Sequence, residues 1–231
     1  MKLSTFALGS FRIAAPERPF NQISQEYLES KLSRAEIANA DQFKHPIRRH
    51  EFLIGRLLLH ALEPKLGPVL RDASGMPNWP KDFLGSISHK GGCVAAALVS
   101  AQAYRGIGID LEIPSEMPLN VIEHVCRGDE ILLLKEPKMQ ETLTLIFSAK
   151  ESLFKCCYPT TQIWFGFHEA QFLANNEETR TFSIKLLKNL PPFFHSGQVF
   201  HGAYRHYEWG KHRFLLTGIG VPAEWRHSDF E

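Results

Sequence analysis

Two long stretches of the chain repeat their apolar side chains with a helical period, and the rest is built from shorter runs. Residues 46–62, "PIRRHEFLIGRLLLHAL", form the first stretch, with Pro46 suited to a helix's first turn. Residues 140–157, "QETLTLIFSAKESLFKCC", form the second. A more polar helix is predicted over Ser24–Gln42, and one or two short helices over 119–135. "LGSISH", "CVAAALVS" and "GIGIDLEI" read as strands, the first two joined through "KGG". From Gln162 onward strands dominate: "WFGFHEAQFL", "RTFSIKLL", "QVFHGAYRHY" and "KHRFLLTGIGV", the last two forming a hairpin through "EWG". Residues 1–25 are mixed, with a loop at "APERP". Each half offers a long helix followed by strands. The expected fold is therefore α+β, in two similar halves of residues 1–105 and 106–231.

Drawn as wheels at about 100° per residue, the two long helices carry more than core. In the first, Ile47, Ile54, Leu57, Leu58 and Ala61 make an apolar stripe, with Arg49, Arg56 and His60 opposite it. Such a basic face is ordinarily a solvated one. Gly55 is unusual, because glycine costs a helix interior about 1 kcal/mol against alanine, which points to close approach by a neighbour. In the second, Leu143, Ile146, Phe147, Phe154 and Cys157 form the stripe, and Lys150 falls in its middle. A lysine so placed must reach solvent or meet an anion. Glu151 and Lys155 are spaced for a surface salt bridge worth a few tenths of a kcal/mol.

In "GIGIDLE" (106–112), Asp110 and Glu112 share a strand face while Ile109 and Leu111 point the other way. Two carboxylates so close repel unless a cation lies between them. In "GSISHKGG", Ser88 and His89 meet a glycine-rich turn able to offer donors to an anion. As neighbours on a strand they face opposite ways, which argues against a Ser-His nucleophile. Carboxylates for a hard cation (Asp110, Glu112, Glu151) and donors for phosphates (Arg49, Arg56, His89, Lys150, Lys155) together suggest a magnesium-dependent enzyme acting on a pyrophosphate. No GxxxxGK[ST] or kinase-type glycine loop supports ATP-type phosphoryl transfer.

Composition narrows the partners. With 231 residues, 44% hydrophobic and 22% charged, the chain is ordinary for a globular protein. Its net charge of +1 gives no global field for nucleic acid. No apolar run approaches the ~18 residues of a membrane span, and Arg12 interrupts the N-terminal apolar patch before a signal core forms. A cytoplasmic location is expected. Cys93, Cys126, Cys156 and Cys157 lack metal or redox spacing and read as core residues.

"GIGIDLE" followed some forty residues later by "FSAKESLFK" resembles the motif pair of the 4′-phosphopantetheinyl transferases. "RRHEFLIGRLLLHAL", "GMPNWP" and "GSISHKGG" are similar to the siderophore-synthase-activating branch, the monomeric, two-halved type. The resemblance spans roughly residues 45–157 and implies a pseudo-twofold fold with the active site between the halves. It implies transfer of the phosphopantetheine arm of coenzyme A to a serine of an acyl or peptidyl carrier protein. Asp110, Glu112 and Glu151 match the family's ligands for Mg²⁺ (or Mn²⁺). Ser88, His89, Lys150 and Lys155 match phosphate contacts, and Arg49 and Arg56 fall in its basic helix. Glu151 is the base the family suggests and Glu130 a second candidate; Lys155 joins Glu151 in the catalytic set. Met76 stands where some relatives carry a lysine, which removes one cationic contact, and Phe147 where many carry tryptophan. Carrier contacts are expected in Pro114–Gln140. The alternatives are a magnesium-dependent nucleotide pyrophosphate hydrolase and a non-catalytic coenzyme A-binding module.

Overall fold

A computed structural model describes residues 3–16 and 23–224. Two antiparallel sheets form its frame. The first contains β1 (Leu3–Leu8), β2 (Phe11–Pro16), β5 (Phe83–Lys90) and β6 (Cys93–Ser100), in the order β1-β2-β6-β5. The second contains β7 (Tyr104–Glu112), β8 (Ala170–Asn176), β9 (Thr181–Leu186), β10 (Val199–Trp209) and β11 (His212–Pro222), in the order β7-β11-β10-β9-β8. Helix α3 (Pro46–Leu62) packs on the first sheet and α6 (Met139–Thr161) on the second. A small hairpin, β3 (Leu70–Arg71) with β4 (Pro77–Asn78), lies between α3 and β5 in the chain. The α+β architecture is as the periodicities predict.

Three local expectations change, and a fourth region keeps to its prediction. Residues 1–25 contain a β-hairpin, because Gly9 adopts φ +60° and turns the chain between two alternating runs. The predicted loop at "APERP" lies largely outside the described residues. The helix expected over Ser24–Gln42 is two, α1 (Gln25–Lys31) and α2 (Arg34–Ala40). Ser33 breaks it by capping α2, its hydroxyl accepting from Glu36 N while Glu36 reaches back to Ser33 N. The strand expected from Trp164 starts only at Ala170, after a 3₁₀ turn at Phe167–Glu169. Residues 119–135 give two single turns, α4 (Ile122–Val125) and α5 (Gly128–Ile131).

Helix α3 is also more enclosed than its wheel implies. Phe52 through Leu59 are all buried, whereas Ile47 is 55% exposed and Ala61 is also exposed. The sheet takes one side, and α1 and α2 bring polar partners to another, Glu29 to Arg49 and Glu36 to His60. Gly55 is where β5 comes closest: a Cβ there would lie 3.3 Å from Ile87.

The seam between the two sheets matters most for function. Strand β7 lies beside β5 without joining its ladder. Serine hydroxyls bridge the gap instead: Ser86 Oγ accepts from Ile109 N (3.0 Å) and Ser88 Oγ from Leu111 N (3.1 Å). On one face of β7, Ile107, Ile109 and Leu111 enter the core around α3. On the other, Gly106 and Gly108 lie directly beneath α6, where added Cβ atoms would fall 2.4 Å from Cys156 O and 1.9 Å from Ser152 O. The helix matches this with the small residues Ser148, Ser152 and Cys156, spaced one turn apart. Thr217 on β11 exchanges hydrogen bonds with both serines (2.8 and 2.7 Å).

Candidate active site

Alternation along β7 carries the glycine face onward to Asp110 and Glu112, both buried. The two glycines admit α6, and α6 then delivers its own charged residues to the two carboxylates. Lys155 Nζ lies 2.6 Å from Asp110 Oδ1 and donates to Ser88 Oγ (3.2 Å), while Ser88 donates to Asp110 Oδ1 (3.0 Å). The surface pair expected between Glu151 and Lys155 therefore gives way to a contact across the seam. Lys90 Nζ is 2.6 Å from Glu112 Oε2. Burial raises the Glu112 carboxyl above its ordinary pKa, helped by Asp110 and opposed by Lys90. Glu151 is half-buried and also raised, first by desolvation and then by the charge of Asp110.

Among the described residues, no three His, Cys, Asp or Glu side chains close into a ready-made metal cage. The donor set still suits magnesium, which takes one or two carboxylates and completes its shell with water and substrate phosphates. Asp110 Oδ2 is buried and makes no hydrogen bond, so one carboxylate oxygen is desolvated without a protein donor.

His89 points away from Ser88, as alternation requires, toward a second feature. A cavity of about 400 Å³ is lined by Phe43, Arg48, Glu51, Phe52, Arg56, Arg71, Gly75, Pro77, Ile87 and His89. Three arginines against one glutamate give it a positive character. Arg48 Nη1 sits 2.7 Å from His89 Nε2 and 3.2 Å from Glu51 Oε2. Arg56, 4% exposed, stacks on Phe52 (3.8 Å to the ring centre) and donates Nε to Val69 O, yet its buried Nη2 has no partner. Burial lowers the Arg56 pKa to about 10, with Glu36 opposing and Arg71 adding to the fall, so it stays charged at neutral pH. A buried guanidinium with one nitrogen left unpaired favours an anion beside it.

Two sequence assignments are corrected by these contacts. Arg49 turns away from the cavity to Glu29 and Asp41 (2.8 Å each), and its neighbour Arg48 stands beside His89 instead. Lys150 is 2% exposed and bound to Glu130 Oε2 (2.7 Å) and Val125 O (2.8 Å), so the anion its wheel position demands is Glu130. Glu130 is thereby held in the interior, where it also accepts from Arg127 N and Phe172 N. The contact missing at Met76 has a counterpart: Arg71, from the same hairpin, enters the cavity with its guanidinium 4.4 Å from the Phe43 ring centre. Sequence reasoning also missed a smaller cavity of about 190 Å³ beside Glu151, lined largely by Phe154, Trp164, Phe165 and Phe167. The four cysteines are free and buried.

An arginine-lined cavity thus lies near a buried carboxylate pair, with a lysine and a glutamate on the overlying helix. Two family models match the chain. Residues 35–100 match the 4′-phosphopantetheinyl transferase N-terminal domain, and residues 106–212 match the 4′-phosphopantetheinyl transferase superfamily model. The chain belongs to the 4′-phosphopantetheinyl transferase superfamily. It is 35% identical over 151 residues to 4′-phosphopantetheinyl transferase Svp of Streptomyces mobaraensis, covering 62% of this chain and 61% of that one. Npt of Nocardia iowensis, also a 4′-phosphopantetheinyl transferase, is 34% identical over 57% of this chain and 61% of its own. Enterobactin synthase component D of Escherichia coli O157:H7 is 35% identical over 57% of this chain and 64% of its own. The chain thus spans somewhat less than two thirds of the length of these relatives.

Proposed function

We propose that this protein transfers the 4′-phosphopantetheine arm of coenzyme A to a serine of an acyl or peptidyl carrier protein, releasing adenosine 3′,5′-bisphosphate. One observation carries the reading: His89, which lines the arginine cavity, lies close enough to the carboxylate pair to feel the charges of Asp110 and Lys155. A ligand with a phosphate at one end and a pyrophosphate further along can occupy both. In this reading Arg48, Arg56, Arg71 and His89 hold the nucleotide end, and Ser88 and Lys155 hold the pyrophosphate. The aromatic cavity beside Glu151 receives the less polar arm.

Asp110 and Glu112, with Glu151 nearby, are the residues that would hold Mg²⁺ or Mn²⁺. A bound ion of this kind neutralises charge developing on pyrophosphate oxygens. Glu151 takes the proton of the carrier serine as its oxygen bonds to the β-phosphorus. The bond from that phosphorus to the oxygen of the departing bisphosphate breaks in the same displacement, and the proton passes on to solvent. A carboxyl pKa raised by burial suits Glu151 to this task, and positioned bases contribute about 10²–10⁴-fold. Lys155 keeps a positive charge beside the leaving pyrophosphate oxygens. Lys150 and Glu130 act from behind, fixing the helix turn that carries Glu151.

The same proposal divides the chain near residue 105 into two pseudo-twofold halves with the site between them. It is supported by the strand order, in which every strand of the first sheet precedes every strand of the second. Carrier docking on Pro114–Gln140 is supported by the exposed Leu119, Ile131, Leu132 and Leu133 of that segment. The reading further includes a monomeric, cytoplasmic enzyme without a nucleic-acid partner. Four unpaired cysteines suit a reducing compartment, and no described helix is long and apolar enough to cross a membrane. The test is incubation with coenzyme A, Mg²⁺ and an apo carrier protein, read by mass spectrometry. A carrier heavier by one phosphopantetheine arm is expected. Nucleotide cleavage without carrier modification would instead mean a hydrolase, and binding alone a non-catalytic module.

A further inference from the structure

The tip of the β5–β6 hairpin carries a charge that the proposed reaction does not use. Lys90 is the last residue of β5, paired across the hairpin with Cys93, and Gly91 and Gly92 make the turn at φ +51° and +80°. The turn is pressed onto the end of β7: a Cβ on Gly91 would lie 2.6 Å from Ile113 Cδ1. Two-residue alternation then matches the strands rung for rung. Ser88 meets Asp110, and two residues on, Lys90 meets Glu112 at 2.6 Å. With Lys155 on Asp110, each carboxylate of the pair has its own ammonium group. Two single positive charges thus balance two negative ones where a single dication would do the same. A dication on Glu112 and an ammonium 2.6 Å from the same oxygen repel each other strongly. The Lys90 side chain is 34% exposed on a flexible stem, while Glu112 is buried, so the lysine is the partner free to leave.

We propose that Lys90 is a resident counter-ion for Glu112, which a divalent cation must displace to occupy the carboxylate pair. The inference rests on the metal reading given above, and adds that the protein discourages the cation from binding ahead of its substrate. Removing Lys90 removes a competitor, so a direct measurement of cation binding detects it without turnover.

The experiment titrates the full chain with Mn²⁺ in the absence of coenzyme A, following free Mn²⁺ by electron paramagnetic resonance. Lys90→Met is expected to bind Mn²⁺ about two- to fivefold more tightly than wild type, the range for losing one partly exposed charge pair. Lys81→Met, which removes an exposed lysine elsewhere, is expected to match wild type and so controls for net charge. In the unmutated protein, an amine-reactive reagent mapped by mass spectrometry should label Lys90 faster when Mn²⁺ is present. Unchanged or weaker binding by Lys90→Met, an equal gain in Lys81→Met, or unaltered labelling would overturn the proposal. Asp110→Ala separates the two levels. If it loses the ion while Lys90→Met equals wild type, only the counter-ion role falls. If it binds as tightly as wild type, the ion lies elsewhere and the metal reading falls with it.

Discussion

Replacing Gly108 with alanine tests the tightest of the described glycine positions. The added Cβ would lie 1.9 Å from Ser152 O and 2.5 Å from Cys156 N, both backbone atoms of α6. Ordinary contacts of a carbon atom lie near 3.5 Å, so the helix must retreat by more than ~1 Å. Overpacking of this kind typically costs about 1–3 kcal/mol. For a chain of this size that lowers the melting temperature by roughly 2–12 °C. The functional loss should be larger, because the retreat carries Lys155 and Glu151 away from Asp110, and a misplacement of ~1 Å can cost about 10²-fold in rate. Gly67→Ala is the control, since nothing lies within 4 Å of its added Cβ. The assay pairs a calorimetric melting temperature with carrier mass gain per minute at saturating coenzyme A. If Gly108→Ala melts and turns over like Gly67→Ala, the glycine-floored contact does not position the site.

Lys150→Met should destabilise by about 3–5 kcal/mol in a denaturant titration, because it leaves Glu130 charged and buried, and Lys150→Met with Glu130→Gln should recover much of that. Equal stability of the single and double variants would count against the buried pair. Glu36 is drawn down to about 2: burial would raise it, but hydrogen bonds from His60, Ser33 and Val69 prevail. Its stabilisation is therefore complete above the unfolded carboxyl's value near 4.5 and lost as pH falls toward 2, and Glu36→Gln should flatten acid unfolding in that window. Glu151 must be ionised to accept a proton, so Glu151→Gln should abolish most of the carrier mass gain while coenzyme A still binds. Dephospho-coenzyme A, lacking the terminal phosphate, should raise KM at least tenfold; equal KM values would empty the arginine cavity of its assigned role.

What the sequence made legible is local. Pro46 and an unbroken apolar period bound α3 at the residues found, and alternation alone placed Asp110 with Glu112 and set Ser88 against His89. The capping signature Ser-x-x-Glu at Ser33–Glu36 was readable too, and would have divided α1 from α2. What escaped depends on which element lies against which. Arg48 and Arg49 differ by one step of the wheel, and only the positions of β5 on one side and of α1 and α2 on the other decide which reaches His89. Lys150 announces a need for an anion but cannot name Glu130, twenty residues away on α5. Arg71 and Arg56 line one cavity only because the β3–β4 hairpin is tied to α2, where Arg71 N donates to Asn39 Oδ1.

Strand β7 also guards its own alignment. One of its faces is Gly106, Gly108, Asp110 and Glu112, and the other is Ile107, Ile109 and Leu111. Shifting its pairing with β11 by one residue would exchange the faces. Branched side chains would then be driven into the α6 backbone where not even a methyl group fits, and two carboxylates would enter an apolar core. A one-residue slip is therefore excluded from both faces at once. The residues proposed to grip the substrate thus serve during folding as the marks by which the strand finds its place.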